Sequence, residues 1–405
     1  MSCRILLRFS GLIVGCQQTT INQTMANKTL NNARAAKQDE FYTQFYDIES
    51  EMEAYLDYNP DVFRGKTVLL PCDDPEWSNF TKYFAQNFDA LGLKKLISTS
   101  YAPESKAYKG GLQLSLFETQ SPKFDKDKTK THGKIFVLTE DTTGDGFINL
   151  NDLQWDYLEG DGDFRSDEVM ALRNEADIIV TNPPFSLFRE FFKWITDAQK
   201  GYVVIANKNC VTYKEVFCHI MNNEMWIGYH PMGQDMLFDV PNDVAKTLLD
   251  SEKKGSKYRI VNSIVKARSS SCWFTNIEHG HRHVPLKLMS MADNIRYSKH
   301  KEIKGIGYKH YDNYDAIEIP YTDAIPSDYE GLMGVPISFL DKYCPEQFEI
   351  VGMAKRGAGD PRLKSKVYTK NDYPNYSDLN ATPTIKDDKG VLHNTYPRLL
   401  IRKKQ

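Results

Sequence analysis

The sequence predicts an α/β protein, a doubly wound sheet followed by a C-terminal α+β region. Three observations predict it. Short runs of aliphatic and β-branched residues recur along the first two thirds of the chain, as expected of parallel strands covered on both faces. Segments with apolar residues at helical spacing alternate with them. One run, Ile178-Ile179-Val180, ends abruptly at Thr181-Asn182-Pro183-Pro184-Phe185, and helical spacing resumes through Leu187, Phe188, Phe191, Phe192 and Ile195. Prolines cannot donate ladder hydrogen bonds, so the strand must stop there. Asn182, Pro183, Pro184 and Phe185 are therefore expected in a stiff loop at the carboxyl end of a strand, where open α/β sheets bind ligands.

Taken in order, residues 1–24 carry an early Arg4 and an apolar run broken by Arg8 and Ser10, with Ile13-Val14-Gly15-Cys16 resembling a lipoprotein signal. The run is too short to span a membrane, and no other stretch is apolar enough. Met25-Ala26-Asn27-Lys28 reads as a natural start, so residues 1–24 are expected to be an extra segment, disordered or outside the native chain. Phe41-Tyr42-Thr43 precedes a helical pattern of Phe45, Ile48, Met52 and Tyr55. Those three residues either lie over a small ligand or staple the helix to the core. Thr67-Val68-Leu69-Leu70 is a strand ending at Pro71-Cys72-Asp73-Asp74-Pro75. Asp74 suits an N-cap and Pro75 a first helical position, with Trp77, Phe80, Phe84, Phe88 and Leu91 forming one helix face. The acidic loop suits the cationic end or the ribose of a ligand. It has no glycine-rich phosphate cradle, so NAD or ATP is not indicated.

Residues 95–100 form the next strand and residues 102–133 a surface insertion. Residues 141–152 approach an EF-hand loop. The twelfth position is Asp rather than Glu, a strand precedes it, and an Asp-Gly turn explains the residues as well, so no metal is expected. In Gly160-Asp161-Gly162-Asp163-Phe164, Asp163 could accept from an adenine amine while Phe164 packs on its face; a polar turn is the plainer alternative. Strands follow at 202–206, 225–229 and 272–275, with a helix at 213–221 and a long polar loop over 231–268. From about 280 the composition turns to Tyr, Lys, Pro and Gly. Residues 281–405 hold 20 Lys+Arg against 16 Asp+Glu, although the whole chain carries a net charge of −3. Lys355, Arg356, Arg362, Lys364 and Lys366, interleaved with Tyr368, Tyr373 and Tyr376, form a candidate phosphate-contacting cluster. Seven scattered cysteines without CxxC spacing argue against a disulfide framework or zinc site and for a reducing, cytoplasmic compartment.

Asn-Pro-Pro-Phe suits one chemistry. The exocyclic amine of a nucleobase is a poor nucleophile because its lone pair is delocalised into the ring. Two acceptors, the Asn182 side-chain oxygen and the Pro183 carbonyl, can draw that nitrogen toward a tetrahedral shape, and Phe185 offers a face for a base taken out of the duplex.

Together these residues resemble the DNA adenine-N6 methyltransferases, most closely the EcoRI-type modification methylases, from about Lys28 to the C-terminus. The resemblance rests on Asp39-Glu40-Phe41-Tyr42-Thr43-Gln44, Cys72-Asp73-Asp74-Pro75 with Ser78-Asn79-Phe80, Asn182-Pro183-Pro184-Phe185, Cys272-Trp273-Phe274-Thr275-Asn276 and Gly334-Val335-Pro336-Ile337. It implies a Rossmann-like S-adenosylmethionine-dependent methyltransferase sheet over 25–280 and a DNA target-recognition region over 281–405. It implies Asn182, Pro183, Pro184 and Phe185 as catalytic, and a donor pocket from Phe41, Tyr42, Thr43, Pro71, Asp73, Asp163 and Phe164. It further implies double-stranded DNA as substrate, a flipped adenine, a monomer, an A/T-rich palindrome as target and a cognate restriction endonuclease as a possible partner. The chain departs from the broader pattern in lacking Gly-x-Gly after the first strand and an acidic residue after the second. Methylation of an RNA base or a glutamine amide is the first rival; a calcium-binding lipoprotein without catalysis is the second.

Overall fold

Four parallel strands form the middle of an eight-stranded sheet in the computed structural model, which describes residues 42–73, 78–102, 123–148, 150–152, 154–240, 242–356, 363 and 365–404. The chain enters through β1 (Tyr42–Thr43), helix α1 (Phe45–Tyr58), β2 (Thr67–Leu70), α2 (Asn79–Gln86) and β3 (Lys95–Ser100). It continues through β4 (Lys134–Leu138), β5 (Gln154–Tyr157), α3 (Asp167–Glu175), β6 (Ile178–Thr181), α4 (Phe188–Asp197), β7 (Gly201–Asn207) and α5 (Lys214–Met221). Then come β8 (Trp226–Ile227), β9 (Met236–Asp239), α6 (Asn242–Asp250), β10 (Tyr258–Val261), β11 (Ile264–Ser269) and β12 (Ser271–Thr275). The order across the main sheet is β5-β4-β3-β2-β6-β7-β12-β8. β3, β2, β6 and β7 are parallel, whereas β4, β5 and β12 are antiparallel to their neighbours. The sheet is thus mixed. Its chain path reverses direction at β2, which has β3 on one side and β6 on the other.

Strand alternation sends side chains to two cores. Val68, Leu70, Val180, Val203, Ile205 and Trp273 pack against α1 and α2 on one face. Leu69, Ile179, Val204 and Phe274 pack with Phe188, Phe191 and Phe192 of α4 on the other. Each fully buried aromatic ring contributes about 1.5–3 kcal/mol, so α4 is fixed firmly behind the loop that precedes it. The second cluster runs on without a break into Met333, Phe339, Phe348 and Ile401. Residues on both sides of 280 thus share one apolar core. The C-terminal region is built on β13 (Ile317–Glu318), β14 (Met333–Pro336), β15 (Phe348–Ala354) and β18 (Arg398–Lys403), in the order β13-β14-β18-β15, with a separate β16 (Thr384–Lys386) and β17 (Leu392–Asn394) pair.

Several local expectations change. Residues 231–268 are not a polar loop. They form β9, α6, β10 and β11, which join β1 in a second sheet ordered β1-β9-β11-β10. The strand expected at 225–229 is shortened to Trp226–Ile227, because the N–H groups of Tyr229 and His230 turn to the buried Glu51 carboxylate instead (2.8 and 2.9 Å). Gly228 permits that turn, since a Cβ there would collide with Glu51 Oε1 and the Trp273 side chain. The cap expected at Asp74 and Pro75 lies outside the described residues, as does most of the 102–133 insertion and residues 1–41. The described helix starts at Asn79, capped by Ser78, whose Oγ accepts from Phe80 N. In the 141–152 loop, the Asp141 carboxylate accepts from Gly144 N and Gly146 N, and Asp152 Oδ1 from Thr142 N and Thr143 N. Both acids act as turn-forming acceptors. Among the described residues, no helix is long and apolar enough to cross a membrane.

Candidate active site

Asn182 leaves β6 at the carboxyl edge of the sheet, one strand from β2 and beside the reversal of the chain path. Ligands of open α/β sheets collect at this point. Thr181, the last strand residue, is fully buried. Asn182 is half-buried with its Oδ1 shielded from solvent, and Pro183 is buried. Phe185 opens a 3-10 turn, Phe185–Leu187, closed by Leu187 N donating to the Pro184 carbonyl (3.0 Å). Phe185 is half-buried and packs against the α1–α2 core. The two prolines and the turn leave this backbone little freedom.

The loop after β2 is tied to this one. Asp73 is buried; its Oδ2 accepts from the Thr181 hydroxyl (2.6 Å) and its Oδ1 from the Ser78 hydroxyl (2.9 Å). Its carbonyl accepts from Ser98 on β3 (2.8 Å), and the Pro71 carbonyl from Thr99 (3.1 Å). Asp73 thus joins β2, α2, β3 and β6 at the residue preceding Asn182. Sequence reasoning placed Asp73 in the donor pocket but missed Thr181, which reads as one more β-branched strand residue. Thr43 enters through β1: Asn79 Nδ2 holds its carbonyl (2.8 Å), and its buried Oγ1 has no partner among the described residues. An unsatisfied buried hydroxyl is uncommon, and a bound polar ligand would satisfy it. Phe41 lies outside the described residues; Tyr42 pairs with Asp239 through the backbone.

Asp163 and Phe164 lie in the connection between β5 and α3. The Asp163 carboxylate grips Arg165 through two contacts (2.9 and 2.6 Å), and Arg165 also reaches Glu190 on α4 (2.6 Å). Phe164 is buried edge-on against Phe191 and Trp194, with ring centroids 5.3 and 5.7 Å away. Its ring serves the core behind α4. Asp163 beside it is half-buried. Burial pushes the Cys210 thiol up to about 12 and Cys272 well above its ordinary value, so both stay protonated and neither serves as a nucleophile.

Of the C-terminal cations, Lys355, Arg356 and Lys366 line one surface cavity with Asn313, Ser365 and Asn380. Lys355 donates to Thr212, in the connection after β7 (3.0 Å), and Lys366 pairs with Asp312 (2.6 Å). Arg356 is exposed; Arg362 and Lys364 lie outside the described residues.

Residues 29–404 match the family described as adenine-specific methyltransferase EcoRI. The chain belongs to that family. It is 39% identical over 332 residues to the type II methyltransferase M.EcoRI of Escherichia coli, covering 81% of this chain and 90% of the relative. It is 31% identical over 380 residues to the type II methyltransferase M.MpnI of Mycoplasma pneumoniae, covering 93% and 98%. M.MgeORF184P of Mycoplasma genitalium matches to the same extent. No solved structure matches significantly. The protein is a DNA adenine methyltransferase, and neither the RNA or glutamine-amide reading nor the lipoprotein reading is favoured.

Proposed function

We propose that this enzyme methylates the N6 amine of an adenine flipped from duplex DNA, at one specific site, with S-adenosylmethionine as donor. The observation that carries the reading is the Asn182-Pro183-Pro184-Phe185 loop at the sheet's reversal point, with Asp73 bonded to the residue before it. When bound, the donor supplies a methyl group on a positively charged sulfur. Everything else is positioning. Asn182 Oδ1 and the Pro183 carbonyl accept from the adenine amine, and Phe185 stacks on the base. Pro184 keeps the loop rigid. The amine gives its proton to water after methyl transfer, so no strong base and no covalent enzyme intermediate are required. The Thr43 hydroxyl, the half-buried Asp163 and the Pro71–Asp73 loop, with Tyr42 of β1 and Phe41 before it in the sequence, are the proposed donor contacts. The absence of a glycine cradle fits a donor without phosphates.

The main sheet is read as Rossmann-like, and the region after residue 280 as the one that recognises the target. Lys355 and Arg356 would meet phosphates beside the connection after β7. The enzyme is proposed to act as a cytoplasmic monomer, paired with a restriction endonuclease of the same specificity, as the type II names of its relatives suggest. The test is single-molecule sequencing of DNA from cells expressing residues 25–405, reading N6-methyladenine. Modification of one motif is expected. Absence of the mark with this chain and with the full chain, together with tritium transfer to RNA or protein, would overturn the reading.

A further inference from the structure

β10 and β11 form a hairpin whose surface chemistry is unlike the rest of the molecule. Residues 253–270 contain Lys253, Lys254, Lys257, Arg259, Lys266 and Arg268 and no acidic residue. Lys266 is held by Asp239 (2.6 Å) and Arg268 by Asp235 (2.5 Å) from β9 and the turn before it. Lys253, Lys254, Lys257 and Arg259 are exposed, with no ion-pair partner among the described residues. Arg259 faces Lys266 directly across the strands, an arrangement that destabilises a hairpin in isolation. Beyond that pair, on the same face, Val261 faces Ile264. Ile260, Val261 and Ile264 are 45%, 37% and 58% exposed. Arg259 on the edge strand β10, with the lysines just before it, could be explained as protection against stray strand pairing. Three exposed aliphatic side chains at the tip cannot, since they increase that hazard.

The hairpin is also rigid and well aimed. A two-residue turn closes it, with Asn262 and Ser263 both at positive φ (49° and 65°), the turn geometry that matches strand twist. At its base Arg268 N donates to the Lys257 carbonyl (2.9 Å), and Lys208 N, just past β7, donates to the Ser270 carbonyl (2.8 Å). β11 then passes into β12, whose first residue pairs with the last residue of β7, Asn207. β7 is the neighbour of β6, so the hairpin and the Asn182 loop rise from the same sheet edge. The six residues of β11 span about 20 Å at ~3.4 Å per residue, roughly six base-pair steps.

We propose that the β10–β11 hairpin is a DNA-contacting prong that enters the major groove beside the target adenine, its aliphatic tip on base edges and its free cations on phosphates. A two-stranded ribbon fits that groove, where apolar side chains meet thymine methyl groups. The proposal rests on the duplex-DNA reading above. Two variants of the full chain test it. Lys257→Gln/Arg259→Gln is expected to reduce the slope of log affinity against log salt by about 2, close to 0.9 per lost phosphate contact. Val261→Ser/Ile264→Ser is expected to lower kcat/KM on the cognate duplex at least ~10-fold, as expected for lost base contacts, while affinity for an unrelated duplex and for S-adenosylmethionine is unchanged. An unaltered salt slope in the first variant, or wild-type kcat/KM in the second, overturns the proposal. So does a wild-type dimer in sedimentation that the tip substitutions dissolve, because the tip would then be a subunit contact. A wild-type chain that binds no duplex at all would instead remove the DNA reading itself.

Discussion

The Asn182 loop and the β10–β11 hairpin rise from the same edge of the sheet, yet their polar groups face opposite ways. Around Asn182 the anchoring groups turn inward: Thr181, Ser78 and Ser98 all donate to Asp73, inside the protein. On the hairpin and just before it, four cations without an ion-pair partner among the described residues and three aliphatic side chains are exposed. In the proposed reaction the first arrangement would fix atoms for chemistry, where small displacements are costly. The second leaves charge and apolar surface for something outside the chain. Rigidity at the reacting centre and open surface at the periphery are what an enzyme needs if it must align one amine on a large polymer.

The sharpest way to break this contrast is at its chemical centre. Asn182→Ala is expected to reduce tritium transfer to DNA by at least roughly 10²–10³-fold, the usual cost of removing one preorganised polar contact at a reacting centre, while duplex affinity changes by no more than a few-fold. Full activity in this variant would remove Asn182 from the reaction. The next largest effect tests the inward anchoring. Thr181→Val keeps the strand shape but deprives Asp73 Oδ2 of its hydroxyl donor. We expect kcat to fall about 10–100-fold from displacement of Asn182 and stability to fall by about 1–3 kcal/mol. Thr181→Ser, which restores the donor, is expected to recover most of the rate. Loss of stability with kcat unchanged would make the bond structural only.

These two residues also mark how far the sequence could be read. Asn182 was legible because a β-branched run, two prolines and a helical pattern must produce a loop at the carboxyl edge, whichever tertiary contacts follow. The parallel strands β2, β3, β6 and β7 were legible for the same local reason. Thr181 was not, since its partner Asp73 lies 108 residues away and only the sheet order brings them together. The packing of Phe164 was hidden for the same reason. An Asp-Phe pair near a ligand edge suits adenine, but Phe191 and Trp194 claim the ring. The 231–268 segment failed for a different reason. Its strands are short, and β10 and β11 carry Arg259, Lys266 and Arg268 among their apolar residues, so alternation is masked until β1 supplies the partner that completes their sheet.

The last predicted effect, one on stability rather than rate, lies behind the sheet edge at Glu51. This carboxylate is buried, and burial raises it to about 7, although the Tyr55 hydroxyl and the N–H groups of Tyr229 and His230 all favour its charged form. A folded-state value above the unfolded one of 4.5 means that the folded protein holds the proton more tightly. The stabilisation is complete below about pH 4.5 and is lost as pH rises through about 7, with a total on the order of 3 kcal/mol. Asp47, also raised by burial, to about 6, adds a slope of the same sign. Glu51→Gln removes only the first contribution and leaves one backbone N–H facing an amide nitrogen, at a cost of about 1–3 kcal/mol. Urea midpoints should therefore fall from pH 5 to pH 8 in the wild type. In Glu51→Gln they should start lower and fall less, the residual slope being that of Asp47 offset below about pH 6.5 by His279 and His230, which burial lowers. Parallel curves in the two proteins would assign the titration to another group and leave Glu51 as a permanently ionised cap for Tyr229 and His230.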